Sequence, residues 1–203
     1  MTHIGRSEKV LVMRVFITVL VLIFSLQSWT RADDIRAFEI EGMSIGDSLL
    51  DFYSEELIIE SFQKSRYKDK SFIRLEFLKG FEFYDGVQIH VKRNDSKYII
   101  EMIGGAKFYV DDIEACYKQQ KLVVNDLKNN FKDAIFSEMS LDKHPVDKTG
   151  KSTVASINAE LENLDMVSIQ CYDWSKTEVF NDLIKIKLMT SEYVYWIRNI
   201  AYK

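Results

Sequence analysis

The chain has 203 residues, 27 Lys and Arg against 31 Asp and Glu, and a formal net charge of −4; it is 47% apolar and 13% aromatic. An acidic balance with both signs interspersed excludes a surface built to hold nucleic acid or anionic lipid. The apolar and aromatic content excludes a disordered chain, and a single proline with eight glycines excludes a linker-rich string of domains.

At the N-terminus, Arg6, Lys9 and Arg14 precede an apolar run from Val15 to Phe24, and Thr30 and Ala32 supply small residues three and one positions before a cut. Basic, apolar and small-residue regions in that order are the layout of a secretory signal peptide. About twelve apolar residues at 1.5 Å each span roughly 18 Å, short of the ~30 Å hydrocarbon core, so the segment reads as cleaved rather than as an anchor. The expected mature chain is residues 33–203, one α+β domain starting at Asp33. The removed segment carries four basic residues (Arg6, Lys9, Arg14, Arg31) and one acidic residue (Glu8), so the mature net charge is −7.

Ser44 with Asp47 three residues on reads as a helix cap, followed by Ile45, Leu49, Phe52 and Tyr53 on one face of a helix ending near Ile59. Three strands follow. Ile73, Leu75 and Phe77 alternate with Arg74 and Glu76, and Val87, Ile89 and Val91 alternate with Gln88, His90 and Lys92. Asn94, Asp95 and Ser96 turn into a third strand from Tyr98 to Ile103, with a break at Gly104 and Gly105.

The longest helix opens at Asp111 and Asp112 and carries Ile113, Cys116, Tyr117, Gln120, Val124, Leu127, Phe131 and Ile135 as one core-facing stripe. Residues 137–151, with His144, Pro145 and Gly150, read as an exposed, mobile loop. Three more strands alternate around Ile157, Ala159 and Leu161; around Val167, Ile169 and Cys171; and around Ile184, Ile186 and Leu188, the last with Lys185 and Lys187 on its polar side. A closing helix starts near Ser191 with Tyr193, Trp196, Ile197 and Ile200 on one side.

Short turns between strands favour antiparallel pairing, and polar alternate positions favour a sheet with helices on one face. The expected class is α+β. Asp85-Gly86-Val87-Gln88-Ile89 sits over Asp165-Met166-Val167-Ser168-Ile169 at an offset of about 80 residues, which admits two α-β-β-β repeats (about 35–110 and 111–203) plus a C-terminal helix. Cys116 and Cys171, an even count in an exported chain, are expected to pair.

The segment Ile40 to Leu50, with Gly42, Met43 and Ser44 opening a helix, resembles the first helix of SmpA/OmlA (BamE-like) proteins. Tandem helix-plus-sheet units are similar to the architecture of the β-lactamase inhibitor protein family, and the whole mature chain resembles small exported bacterial proteins of no assigned function. The chain lacks the lipidated cysteine of the first family and the lactamase-binding loop of the second. The resemblance implies a non-catalytic interaction module.

Catalytic signatures are sparse. His90 on a strand's polar side and His144 before Pro145 read as solvated surface histidines. There is no zinc-ligand spacing, no Gly-rich phosphate loop and no nucleophile elbow, so no metal or cofactor is expected. Asp111, Asp112 and Glu114 serve a helix N-terminus. The candidate binding residues are two aromatic groups: Phe81, Phe83, Tyr84 and Asp85 in a connection, and Tyr172, Asp173 and Trp174 at a strand end. The sequence therefore points to a periplasmic or secreted, soluble, non-catalytic binding or protein-interaction module for a protein or small-molecule partner. The alternatives are a carboxylate-dependent hydrolase using Asp85 and Asp173, or a structural envelope component.

Overall fold

In the computed structural model, which describes residues 34–176 and 180–203, eight strands form one antiparallel sheet. The expected signal segment and its cut after Ala32 lie outside the described residues. The strands are β1 (Phe72–Phe77), β2 (Gly86–Lys92), β3 (Ile100–Phe108), β4 (Ile135–Phe136), β5 (Ser140–Lys143), β6 (Thr153–Glu160), β7 (Met166–Asp173) and β8 (Leu183–Met189). Their helical companions are α1 (Glu55–Glu60), α2 (Ile113–Asn130) and α3 (Ser191–Asn199). The spatial order is β1-β2-β3-β8-β7-β6, with β4 and β5 paired one after the other along the outer edge of β6. The class is α+β, as expected.

Two meanders, β1-β2-β3 and β6-β7-β8, meet where β3 pairs with β8, so β8 lies in the middle of the sheet. The long crossover through α2 allows this, because it carries the chain from the centre of the sheet to its far edge. One face packs Leu75, Ile89, Ile103, Leu188, Val167 and Ile169 against α2, α1 and the N-terminal segment in a single apolar cluster. Gln120, 1% exposed, donates from Nε2 to the carbonyls of Ala155 and Ile169 at 2.9 Å each and so ties α2 to two strands. Cys116 of α2 and Cys171 of β7 form the expected disulfide, with Cα atoms 6.0 Å apart.

Successive strand side chains point to opposite faces, and the other face carries a smaller cluster. Phe72, Met102, Met166 and Met189 pack there against Tyr193, Val194 and Trp196 of α3. The expectation of helices on one face thus holds for α2 and is corrected for α3, which lies across the opposite one.

Four other expectations change. The helix expected from Ser44 to Ile59 is replaced by turns, a 3-10 turn at Leu49–Asp51 and the short α1. Half of the expected cap forms, since the Ser44 N–H donates to Asp47 Oδ2 at 2.8 Å, but Gly46 adopts φ +91° and Ser48 is extended, which stops the helix. The third strand runs through Gly104 and Gly105 instead of breaking there. Ile135 leaves the α2 stripe and is 74% exposed in β4. Within the loop expected at 137–151, residues Ser140–Lys143 form β5. Past that strand, Asp147 accepts hydrogen bonds from Thr149, Lys151 and Ser152, which hold its carboxyl well below the usual range.

Candidate functional site

The face under α3 is apolar only at one end. Beyond the helix, the alternation that buries Val87, Ile89, Val167, Ile169, Ile184 and Leu188 on one side turns Gln88, His90, Ser168, Gln170, Lys185 and Lys187 to the other. Between this polar floor and α3 lies a cleft of about 330 Å³, at the lower end of the range for small-ligand pockets, roughly 300–1,000 Å³. Gln88, Ser168, Gln170, Asn158 and Lys187 line its polar side, and Met102, Met166, Met189, Tyr193, Val194 and Ile197 line the side toward the helix. Tyr67, Tyr202, His90 and Arg198 complete it.

The floor is predominantly cationic, with Lys185, Lys187 and Arg74 on the same face as the carboxylate of Glu76, which stands 3.6 Å from Arg74. Lys185 Nζ donates to Gln88 Oε1, and Lys187 Nζ donates to Gln170 Oε1 at 2.6 Å. Among the described residues neither ammonium has a carboxylate within 4.0 Å. Each lysine thus makes one hydrogen bond to an amide oxygen, and Glu76, farther than 4.0 Å away, offsets part of the Lys185 charge. Burial, together with the charge of Lys187, brings the Lys185 ammonium down to about 7. Arg198 at the rim is balanced by Glu160 at 3.8 Å.

Gly104 belongs to this arrangement. A Cβ there would stand 3.2 Å from Lys187 Cγ and 3.3 Å from Lys185 Cε, so the missing side chain lets both lysine stems lie over β3. Tertiary contact on both faces explains why the glycine pair runs inside a strand. On the other face, Gly105 would place a Cβ 2.6 Å from the Tyr84 ring.

His90 is the correction with most bearing on the site. It is 1% exposed, not solvated, and neither ring nitrogen has a hydrogen-bond partner. Its ring packs edge-on to Tyr193 at 4.9 Å and lies 6.1 Å from Tyr67. Burial, reinforced by the positive charge of Lys185, pushes its pKa down to about 3, so the imidazole is neutral. A residue on a polar strand face is buried here because α3, about 100 residues later, closes over it.

The two aromatic groups picked from the sequence stand on opposite faces. Phe81 and Tyr84 pack against the cluster on the α2 side. Their connection is pinned by Glu41, whose carboxylate accepts the N–H groups of Glu82, Phe83 and Tyr84 at 2.8–2.9 Å. Burial, with the Glu41 charge nearby, raises the Tyr84 phenol to about 12. Asp85 accepts the Phe108 N–H on Oδ2 at 2.7 Å, a turn-closing role. Tyr172 belongs to the cleft side, its hydroxyl donating to Gln170 Oε1 at 2.8 Å. The Trp174 ring lies tilted against His144 at 4.3 Å and against Phe180 at 4.6 Å beyond the strand end. Asp173 points with Cys171 to the α2 side, where burial and the neighbouring Asp182 raise its pKa. Asp85 and Asp173 are separated by the widths of β3 and β8, about 14 Å at three strand spacings. A hydrolytic carboxylate pair works at roughly 5–9.5 Å.

Comparison with family models, curated proteins and solved structures gave no match. The cleft therefore speaks through its own chemistry. Among the described residues no group of three or more His, Cys, Asp and Glu side chains converges as a metal site, and no helix is long and apolar enough to cross a membrane. The sequence signal for the cleft was the pair Lys185 and Lys187 on the polar side of a strand. What marks it as a site is the position of that strand in the middle of the sheet, facing Gly104.

Proposed function

We propose that the chain is an exported, non-catalytic binding module that recognises a small molecule in the cleft between the polar sheet face and α3. The observation that carries the reading is Lys187 on the central strand, held in the cleft by an amide oxygen with no carboxylate within 4.0 Å among the described residues, beside a buried histidine whose ring nitrogens have no hydrogen-bond partner. A half-buried ammonium without an adjacent carboxylate is costly unless something else supplies the countercharge. The disulfide and the basic-apolar-small order of residues 1–32 support export.

A thermal-shift panel of small anions, cations and neutral metabolites tests this reading. At least one anion should raise the melting temperature of the wild type and lose that effect in Lys187→Met. A panel in which no anion stabilises the protein contradicts it. Intact mass of the exported protein should begin at Asp33; a full-length mass contradicts export with cleavage.

A second reading, protein recognition by strand addition, is favoured by β5. Among the described residues no strand pairs with its outer edge, and Leu141 on it is 62% exposed. Crosslinking through a photoreactive residue at Leu141 would capture a partner if this edge is used and would capture none if it is not.

A further inference from the structure

We infer that the cleft takes a small amphipathic monocarboxylate, its carboxylate on Lys187 and its apolar body against α3; this rests on the cleft being the recognition site. The two halves of the cavity differ in character along one direction. Toward β7 and β8, Lys187 spends one of its three N–H donors on Gln170 Oε1, and Ser168 and Asn158 stand beside it. Toward α3, three methionines (Met102, Met166, Met189) with Val194 and Ile197 form an apolar wall. Methionine side chains adapt to irregular apolar shapes, which suits a flexible chain or a ring.

The donors also discriminate among anions. Backbone N–H groups of the floor are committed to the β2-β3-β8-β7 ladders, so the cleft offers no cradle of main-chain amides. Of the guanidinium groups near this face, Arg198 already faces Glu160 and Arg74 already faces Glu76. One ammonium lining the cleft, Lys187, with side-chain hydroxyl and amide groups matches a single negative charge. A phosphate dianion is better served by forked guanidinium or helix N-terminal donors.

Gln170 fixes the geometry of the head group. Its Oε1 accepts from both Lys187 Nζ and the Tyr172 hydroxyl, while its Nε2 donates to Ser156 Oγ at 3.1 Å. The amide is thereby locked with its oxygen on the lysine. The ammonium is held in place before a ligand arrives, and less ordering is left to the binding step.

Isothermal titration of the purified protein with octanoate, acetate, 1-octanol and inorganic phosphate tests the inference. Octanoate should bind one to one, with acetate and 1-octanol each at least about tenfold weaker, since each lacks one half of the contact. Lys187→Met should weaken octanoate by about tenfold or more, and Lys187→Arg should retain most of it. A Met166→Gln variant, which leaves every lysine in place, should weaken octanoate while leaving acetate unchanged. Phosphate binding that depends on Lys187, without octanoate binding, overturns the ligand class and leaves the cleft as the site. Equal binding of 1-octanol and octanoate overturns the carboxylate. Failure of all four probes, with wild-type folding verified by circular dichroism, overturns the inference.

Discussion

Replacing His90 by leucine should flatten the acid side of the stability profile. The wild-type imidazole is sealed between Tyr193 and the sheet, with no partner on either nitrogen, and its pKa is lowered from 6.5 to about 3. Below 6.5 the unfolded chain takes up a proton at this position that the folded chain refuses until about 3. The contribution is therefore intact above 6.5 and is lost progressively as the pH falls through that window. At about pH 5 the unfolded state has gained about 2 kcal/mol from this group alone, at 1.36 kcal/mol for each unit below 6.5. Urea unfolding of wild type and His90→Leu at about pH 8 and about pH 5 measures it. The packing cost of the substitution and the titration of all other groups cancel in the comparison of the two pH differences. His90→Leu should lose about 2 kcal/mol less than wild type on acidification. Equal losses would show that the histidine is hydrated or paired in solution and would refute the reasoning.

Four further outcomes follow from particular contacts. Converting Cys116 and Cys171 to alanine opens a loop with a sequence separation of 55 residues and should cost about 4 kcal/mol by chain entropy, read as a lower urea midpoint. Gly105→Ala drives a Cβ into the Tyr84 ring at 2.6 Å and should cost about 1–3 kcal/mol. Adding Tyr84→Leu should recover part of that loss, and strictly additive penalties would contradict the contact. Lys185→Met removes a cation that resists protonation until the pH falls from 10.5 to about 7, so its stability advantage over wild type should grow as the pH is lowered through that window; a constant difference would place the ammonium in water. Ser152 amide exchange should accelerate in Asp147→Ala, which removes the acceptor of its N–H, and unchanged exchange would show that the turn holds without it.

The strands around the disulfide were legible because their apolar residues alternate without interruption and one side faces α2 for its whole length. Val167, Ile169 and Cys171 are all buried on that side, as the period-2 pattern demands. The N-terminal segment was not legible as a helix stop, because Ile45, Leu49 and Tyr53 keep helical spacing while Gly46 and Ser48 leave helical geometry. Local spacing carries no record of a backbone that bends to fit a sheet.

The site was harder to see for the same reason at longer range. His90 and Gln88 look solvated from within β2, and only the later α3 and β8 decide that one is buried and the other bound to Lys185. Gly104 and Gly105 look like a turn until the lysine stems and the Tyr84 ring are placed on either side of them. The aromatic groups flagged at Tyr84 and Trp174 drew attention by composition. The cleft is distinguished by a lysine without an adjacent carboxylate, which only the pairing of β8 between β3 and β7 brings to one place.

The most direct test of the cleft as the recognition surface is a nitrogen-15 correlation spectrum titrated with the anion that most stabilises the protein. The side-chain amides of Gln88 and Gln170 and the backbone amide of Ser168 should move first and furthest, and should stay still in Lys187→Met. Shifts confined to Leu141 of β5 or to the Trp174 indole, with Gln88 and Gln170 unmoved, would place recognition elsewhere and contradict the account.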